Sequence, residues 1–283
     1  MSTLGAFTKK SDLNEVEAMC VEAAWRSSKN AYCFRSNFPV GAAIFAENGT
    51  GETKLFSGCN VENASFAATI CAERNAATTA VEQGYTRFRA VAVVCAKHPG
   101  GSPCGLCRQV LRQFGGDAVL LNICDRESNV LRATVAELLP GPTANAEAYA
   151  GLHYTERQIV DRVLNSVSKS HVPYSQQPRG AVVVAANKAG DRRRFAGAQI
   201  DNASYGGSVS AERAAIFAAV SAGYVNISKL AVAGADPIDG ECLQVLREFG
   251  GLTAEILYVG TDKTVVRTTL DAALPDSFGP ECL

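Results

Sequence analysis

The chain has 283 residues, of which 47% are hydrophobic and 19% are charged, and its formal net charge is −1. This composition excludes a disordered chain and is that of a globular protein of one or two domains. The near-neutral charge, with no cluster of Lys and Arg on a predicted helix, excludes the basic footprint of a nucleic-acid-binding protein, and no run of 18 apolar residues predicts a membrane span.

The first half predicts a helix and two strands, followed by alternating helices and strands. The N-terminal residues lack the apolar core of a signal peptide, so we expect a cytoplasmic protein with no membrane partner. Asp12 is a plausible N-cap for the first helix. The later elements are strands near 39–46 and 53–59, a helix at about 71–83, a strand at 88–95, a helix from Pro103 to Gly115, strands near 118–123 and 129–132, and a short helix at 134–139. Such alternation predicts an α/β/α sandwich around a mixed sheet.

The second half repeats the first. GCNVENASF at 58–66 aligns with GAQIDNASY at 197–205, and ICAERNA at 70–76 aligns with VSAERAA at 209–215, both at an offset of 139. RQVLRQFGG at 108–116 aligns with LQVLREFGG at 243–251 at an offset of 135. The Pro- and Gly-containing stretch 140–146 is typical of a linker. We therefore predict two α/β/α domains, 1–143 and 144–283.

Three cysteines and one glutamate carry the chemical signal. Cys71 and Glu73 open one predicted helix, and Cys104 and Cys107 open the next. Three thiolates hold a zinc ion on three sides and leave a fourth position for water, as in catalytic zinc sites. Glu73 can stand beside that water and move its protons. The other cysteines are scattered in apolar segments, and we expect them to be reduced rather than paired in disulfides.

The stretch GCNVENASF, with Cys71-Ala-Glu-Arg74 and SPCGLCRQV at 102–110, resembles cytidine deaminases of the three-cysteine type. The resemblance extends over nearly the whole chain, because the second half repeats the pattern in degraded form. It implies the cytidine-deaminase fold and the hydrolytic deamination of cytidine and 2′-deoxycytidine in pyrimidine salvage. A hydroxide held by zinc would attack C4, while Glu73 would deliver protons to N3 and to the departing amine.

The resemblance also implies which residues hold the nucleoside. Asn60 and Glu62 would bind the ribose 3′-OH, and alternate residues of a strand do share one face. A loop-capping Asx turn is the alternative for this pair. A free 3′-OH favours a nucleoside over a polynucleotide. Phe38 would lie near the pyrimidine, with core packing as its alternative.

Further roles fall on residues beside the metal ligands. By the same resemblance, the Ala72 backbone amide would bind the cytosine O2, and the Ser102 carbonyl would accept from the exocyclic amine. Arg74 would hydrogen-bond the ligand sulfurs and offset the charge of three thiolates. A surface arginine on a helix is the alternative for Arg74.

The metal ligands do not survive in the second half. Cys71 aligns with Ser210 and Cys104 with Asp239, while Cys107 alone aligns with a cysteine, Cys242. A serine hydroxyl is a poor zinc ligand, so we expect one zinc ion per chain, held in the first domain. The aligned glutamate, Glu212, falls in the first turn of a helix, where the dipole favours a carboxylate. We therefore expect the second domain to be non-catalytic.

The second domain keeps other family positions better than the first. Tyr205 matches a family tyrosine, and Phe278 matches a C-terminal aromatic residue that single-domain relatives contribute across subunits. We expect Ala203, Tyr205 and Phe278 to close the pocket of the first domain, within the chain or across a homodimer that reproduces a four-domain assembly.

Two other functions stay open. One is deamination of a cytosine-containing antibiotic or of a base in nucleic acid, and the other is a non-catalytic zinc-stabilised binding role. Retention of Glu73 argues against the second. The basic run Arg192–Arg194 is predicted as a solvated hairpin turn, and we expect no nucleic-acid partner.

Overall fold

A computed structural model of the chain describes residues 8–95, 97, 101–116, 120–124 and 129–282. It divides into two compact units. The first unit comprises Met1–Pro140 together with Pro275–Leu283, and the second comprises Gly141–Leu274. The division lies close to the predicted boundary at 143, but the last segment of the chain groups with the first unit.

The first unit is a mixed six-stranded sheet with helices on both faces. Its strands are β1 (Thr8–Lys9), β2 (Val40–Asn48), β3 (Thr53–Cys59), β4 (Tyr85–Cys95), β5 (Leu120–Cys124) and β6 (Asn129–Thr134). Its helices are α1 (Glu15–Ser28), α2 (Ala72–Glu82), α3 (Gly105–Gly115) and α4 (Val135–Leu138). The strand order is β1-β6-β5-β4-β2-β3, with β4 and β5 parallel and the other neighbours antiparallel. The predicted α/β/α sandwich is confirmed.

Helix α1 begins two residues later than Asp12 suggested. Its N-cap is Asn14, whose side chain accepts from the Glu17 amide at 2.9 Å. The Glu17 carboxylate in turn accepts from the Asn14 amide at 2.9 Å, which completes a capping box. The prediction of Asp12 was wrong because Asn14 is followed three residues later by a glutamate that can reciprocate, whereas Asp12 ends a short 3₁₀ turn.

Both faces of the central strands are buried, which explains their nearly continuous apolar sequence. Successive residues of β2 and β4 point to opposite faces, so they divide between two clusters. One cluster packs under α2, α3 and α4 and includes Ala42, Ile44, Val91, Val93 and Leu111. The other packs under α1 and includes Cys20, Ala24, Ala43, Ala92 and Val94.

A glycine brings α2 close against β3. A Cβ atom at Gly58 would lie 2.6 Å from the Ala76 nitrogen and 2.7 Å from the Ala72 oxygen. Since no real Cβ approaches backbone that closely, the helix can sit at this depth only over a glycine. The aligned Gly197 is equally crowded, with 2.2 Å from its Cβ position to the Ala211 oxygen.

The second unit has the same order of elements. Its strands are β7 (Gly180–Ala186), β8 (Arg192–Ala198), β9 (Asn226–Ala233), β10 (Glu255–Val259) and β11 (Val265–Thr269). Its helices are α5 (Tyr154–Val167), α6 (Ala211–Ser221), α7 (Gly240–Gly250) and α8 (Leu270–Ala273). The strand order β11-β10-β9-β7-β8 corresponds to β6-β5-β4-β2-β3, again with one parallel pair.

The basic run lies at the start of a strand and not in a turn. Arg192 is the first residue of β8, Arg193 lies 5.3 Å from the Tyr224 ring, and Arg194 donates to Gln158 at 3.0 Å. The predicted hairpin turn was wrong in position, because the turn ends before the three arginines. Within the described ranges, no helix combines the length and apolar character needed to cross a membrane.

Candidate active site

The three predicted thiol ligands converge at the N-termini of α2 and α3. Cys71 is the N-cap of α2, Cys104 is the N-cap of α3, and Cys107 lies buried in the first turn of α3. The Cys71 and Cys104 sulfurs are 4.0 Å apart, and those of Cys104 and Cys107 are 3.5 Å apart. All three sulfurs lie within 4.8 Å of one another. Two backbone segments far apart in sequence therefore present one compact donor set.

This donor set fits zinc. A tetrahedral ion with Zn–S bonds of about 2.3 Å requires sulfurs roughly 3.8 Å apart, and the measured 3.5 and 4.0 Å bracket that spacing. Thiolates are soft ligands of the kind that zinc accepts. The N–H groups and the positive dipole end at each helix start favour the anionic form of the sulfurs. Hydrogen bonds from Cys104 and Cys107 hold the pKa of the Cys71 thiol well below its usual range, whereas hydrogen bonds within the cluster and burial raise the pKa of the Cys104 and Cys107 thiols.

Glu73 lies in the same cluster and is almost completely buried, with 4% of its surface exposed. Burial, and after it the neighbouring Cys71 thiolate, raise the pKa of Glu73 to about 7. A carboxyl group with a pKa near neutrality can both take up and release a proton, which a general acid-base must do.

Arg74 contacts one of the three sulfurs. Its Nη2 donates to the Thr69 carbonyl at 3.0 Å and to the Cys71 sulfur at 3.8 Å. The guanidinium group is thus a half-buried cation in contact with the ligand cluster. These contacts do not fit the alternative that Arg74 is a surface arginine on the helix.

A cavity of about 240 Å³ opens beside the thiols. It brings together most of the residues predicted for the site. The lining includes Phe38, Asn60, Glu62, Cys71, Ala72, Glu73, Ser102, Cys104 and Phe278, with Ser36, Val40, Thr69, Val93, Cys95 and Gly101.

Asn60 and Glu62 are both fixed by backbone contacts. The Asn60 side chain accepts from the Val40 amide and donates to the Phe38 carbonyl, each at 2.9 Å. The Glu62 carboxylate accepts from the Arg35 amide at 2.7 Å and from the Ser36 amide at 3.2 Å, and also from the Ser36 hydroxyl. Burial raises the pKa of Glu62, but these hydrogen bonds outweigh it and lower that pKa below its ordinary value. Both side chains are thus held in one orientation at the cavity.

Two aromatic rings meet at the cavity. Phe38 and Phe278 have ring centroids 5.9 Å apart at an interplanar angle of 69°, an edge-to-face contact. Phe278 belongs to the segment Pro275–Leu283, which is part of the first unit. Ala203 and Tyr205 belong to the second unit, where Tyr205 is 74% exposed and lies 6.1 Å from the Tyr174 ring.

The sequence-based reasoning missed Arg108. This arginine is completely buried in α3 and donates to the Pro103 carbonyl at 2.7 Å and the Ser102 hydroxyl at 2.9 Å. A signal existed, because the repeat aligns Arg108 with Leu243. Because the aligned residue is apolar, this position of the helix is expected to face the core.

The second unit holds no comparable thiol cluster among the residues that the structure describes. Ser210 is the N-cap of α6 and lies 2.9 Å from the Cys242 sulfur. Asp239 is the N-cap of α7 and accepts from the Cys242 amide at 2.7 Å. These side chains cap helices where their counterparts in the first unit converge on a metal site.

Comparison with known proteins agrees with this geometry. A model of the cytidine and deoxycytidylate deaminase zinc-binding region matches residues 13–122. A cytidine deaminase of Sporosarcina psychrophila is 40% identical over 127 residues, which are 45% of this chain and 90% of that relative. The chain belongs to the cytidine deaminase family. A probable cytidine deaminase of Dictyostelium discoideum is 38% identical over 140 residues, 49% of this chain and 91% of the relative.

A crystal structure of cytidine deaminase from Burkholderia pseudomallei matches 45% of this chain and 98% of that chain, with 38% identity and a TM-score of 0.41. These relatives cover less than half of the chain, and the zinc-binding region lies within the first unit. The predicted membership in a family of zinc-dependent deaminating enzymes is confirmed.

Proposed function

We propose that this protein hydrolyses cytidine and 2′-deoxycytidine to uridine and 2′-deoxyuridine with release of ammonia, as a step of pyrimidine salvage. The observation that carries the proposal is the convergence of three thiols and a buried glutamate on one small cavity. Each part of the reaction can be assigned to a residue at that cavity.

Cys71, Cys104 and Cys107 would hold one zinc ion. When bound, zinc would supply a Lewis acid that lowers the pKa of a water molecule toward neutrality. Glu73 would protonate the cytosine N3 and later the departing amine, because burial gives its carboxyl group a pKa of about 7. Arg74 would offset part of the negative charge of the three thiolates through its contact with Cys71.

The cytosine ring would be recognised by backbone groups next to the ligands. The Ala72 amide is one of the free N–H groups at the start of α2 and would donate to the cytosine O2. The Ser102 carbonyl would accept from the exocyclic amine. Phe38 and Phe278, which meet edge to face, would enclose the ring.

Asn60 and Glu62 would bind the ribose 3′-OH. A carboxylate has room for about four donors, and Glu62 accepts from three donor groups, the Arg35 amide and the amide and hydroxyl of Ser36. The Asn60 amide likewise keeps one N–H and one lone pair beyond its two backbone contacts. Because both side chains are already oriented, a ribose hydroxyl would meet them without an ordering cost.

We further propose that the second unit is non-catalytic and that the chain holds a single zinc ion. The position aligned with Val40, which lines the cavity, is Arg179. Its Nε donates to the buried Glu212 carboxylate at 2.6 Å, and its Nη1 donates to the Asp236 carbonyl at 2.6 Å. Glu212 is the counterpart of Glu73, so in this unit the equivalent carboxylate is engaged by an arginine.

The residue opposite Arg179 supports the same conclusion. Cys95, which lines the cavity of the first unit, aligns with Gly234. A Cβ atom at Gly234 would lie 3.0 Å from the Arg179 Cγ and 3.1 Å from its Nη1. Arginine and glycine at paired positions thus replace valine and cysteine. The larger side chain occupies space where the first unit has its cavity.

We also propose a cytoplasmic homodimer in which Ala203 and Tyr205 help to close a catalytic pocket. Nine cysteines of the described part of the chain form no disulfide bond, which suits a reducing compartment. Tyr205 is 74% exposed and Phe66, its counterpart in the repeat, is 66% exposed. The Tyr205 ring lies 6.1 Å from the ring of Tyr174, which is 51% exposed, and a contiguous exposed patch of this kind marks an interface between proteins. Sedimentation analysis showing an active monomer would refute the dimer.

A matched pair of variants tests the catalytic assignment. Glu73→Gln and Glu212→Gln are the same change at aligned helix positions of the two units. We expect the loss of ultraviolet absorbance on cytidine deamination to slow by a factor of about 10² to 10⁴ in Glu73→Gln and to be retained in Glu212→Gln. Metal analysis should give about one zinc ion per chain in both.

Robust turnover by Glu73→Gln would remove the proposed proton transfer. Loss of activity in a folded Glu212→Gln variant would contradict the non-catalytic second unit. Cytidine in a short oligonucleotide provides the substrate control, because its 3′ oxygen is esterified and Asn60 and Glu62 would not accept it.

A further inference from the structure

Arg108 connects two segments that border the cavity. One is the loop of Ser102 and Pro103, next to the ligand Cys104, and the other is the C-terminal segment that carries Phe278. Nε donates to the Pro103 carbonyl at 2.7 Å, and Nη2 donates to the Ser102 hydroxyl at 2.9 Å and the Asp276 carbonyl at 3.0 Å. Nη1 donates to the Pro275 carbonyl at 2.7 Å and to the Leu138 carbonyl.

These contacts use the full donor capacity of the side chain. A guanidinium group has five N–H donors in a fixed plane, and Arg108 has five acceptors. Four are backbone carbonyls and one is a hydroxyl, so each of the five donors has an uncharged acceptor. Burying a cation in this way is costly unless every donor is paired. Such an arrangement fixes the positions of the acceptors as much as it fixes the arginine.

The segment that Arg108 holds has an unusual backbone. Asp276 has φ of +47°, in the left-handed region that L-residues seldom adopt. Arg108 binds the carbonyls of Pro275 and Asp276, on both sides of this turn. Two residues later, Phe278 meets Phe38 at the cavity. The hydrogen bonds therefore secure the turn that directs Phe278 to its place.

The repeat supplies a comparison. At the position aligned with Arg108, the second unit has Leu243, which is 1% exposed. Leucine fills this helix position without any polar contact, so the fold itself does not require a buried cation here. The arginine occurs in the unit that has the thiol cluster.

We propose that Arg108 is a positioning residue that couples the Ser102–Pro103 loop to the Phe278 segment and so shapes the nucleoside pocket. The proposal rests on the proposed function, because Ser102 and Phe278 are expected to contact the pyrimidine. It assigns Arg108 no proton transfer and no contact with the substrate. Its effect would appear in substrate binding.

A double-mutant cycle tests this coupling in the zinc-loaded protein. We expect Arg108→Met to raise KM for cytidine by about tenfold with a smaller change in kcat, and Phe278→Ala to do the same. In the Phe278→Ala background, adding Arg108→Met should raise KM by only about threefold, because the segment has lost the ring that it positions while the effect through the Ser102–Pro103 loop remains. Fully additive effects would overturn the proposal.

Two controls distinguish a positioning role of Arg108 from an electrostatic role and from a general effect on stability. Arg108→Lys keeps the cation but has three donors on a flexible stem, so we expect it to resemble Arg108→Met. Recovery of the wild-type KM by lysine would instead indicate an electrostatic role and refute positioning. Leu131→Ala removes a buried side chain of the first core cluster and should lower Tm without raising KM.

Hydrogen–deuterium exchange gives a readout without substrate. Amides of the peptide 275–282 should exchange faster in Arg108→Met and Arg108→Lys than in the wild type or in Leu131→Ala. Equal exchange in all four proteins would refute the proposal that Arg108 holds this segment. If the wild type did not deaminate cytidine, the proposed function would fail, while the exchange result would still decide whether Arg108 holds this segment.

Discussion

The ion pair of Arg179 and Glu212 gives the sharpest stability prediction. Glu212 is 1% exposed, and the Arg179 guanidinium lies 2.6 Å from its carboxylate. Burial raises the pKa of Glu212, although Arg179 opposes that shift. Replacing Arg179 by methionine keeps most of the stem that packs on Gly234 and removes the cation. The carboxylate is then left buried without this partner.

An upper limit can be placed on the free energy of unfolding that Arg179→Met loses through the buried charge. An unpaired buried carboxylate takes up a proton instead of staying charged, so the penalty cannot exceed the free energy of protonation. From the ordinary pKa of 4.5, that free energy is about 3 kcal/mol at pH 7 and about 0.7 kcal/mol at pH 5. A raised pKa in the folded state costs stability as pH rises above the unfolded value. The destabilisation should therefore grow with pH.

Urea unfolding followed by circular dichroism, at pH 5 and at pH 7, measures this difference. Arg179→Met should lose at most about 3 kcal/mol at pH 7 from the buried charge and much less at pH 5. The double variant Arg179→Met/Glu212→Gln should lose this pH dependence, because the buried carboxyl group that causes it has been removed. A penalty for Arg179→Met that is equal at both pH values would refute the argument.

Two further changes probe the acid stability of the second unit and the support of the metal site. Hydrogen bonds from Arg267, and from Lys229, lower the pKa of Glu156 to about 2 despite burial, so its contribution to stability is present above pH 4.5 and is lost as pH falls toward 2. The Tm difference between the wild type and Glu156→Gln should close over that range, and a constant difference would contradict this assignment. Gly58→Ala should weaken zinc binding and cost about 1–3 kcal/mol of stability, because its Cβ would push α2, which carries Cys71 and Glu73, away from β3. Gly49→Ala, with no atom within 4 Å of its Cβ position, is the matched control, and equal losses in calorimetry and zinc titration would refute the crowding argument.

Periodicity predicted the helices and strands well because the core of each unit is regular. β2 and β4 carry apolar residues on both faces, and the helices pack against the sheet through their apolar faces. The error at Asp12 shows the limit of such reasoning. Three polar residues precede α1, and the choice among them depends on the reciprocal contact between Asn14 and Glu17.

The part of the candidate site that could be predicted is formed by residues that lie close together in the sequence. Cys71 and Glu73 lie two residues apart, and Cys104 and Cys107 lie three apart, so their residue types and spacing already indicate a metal and a proton donor. Arg179 is different. Arg179 directly precedes β7, and its side chain pairs with Glu212 at the start of α6. No spacing in the sequence indicates that these two side chains meet.

The sequence by itself determined which half carries three cysteines in the spacing of a metal site, because Cys107 alone has a cysteine counterpart, Cys242, in the second half. It also determined the order of the elements, since hydrophobic periodicity and the repeat are properties of neighbouring residues. Only the tertiary structure decided that Arg108 binds Pro275 and Asp276 across more than 160 positions of the chain. The hydrogen bonds that this buried guanidinium group donates to Leu138, Pro275 and Asp276 depend on where distant backbone carbonyls lie, and only tertiary packing brings those carbonyls to α3.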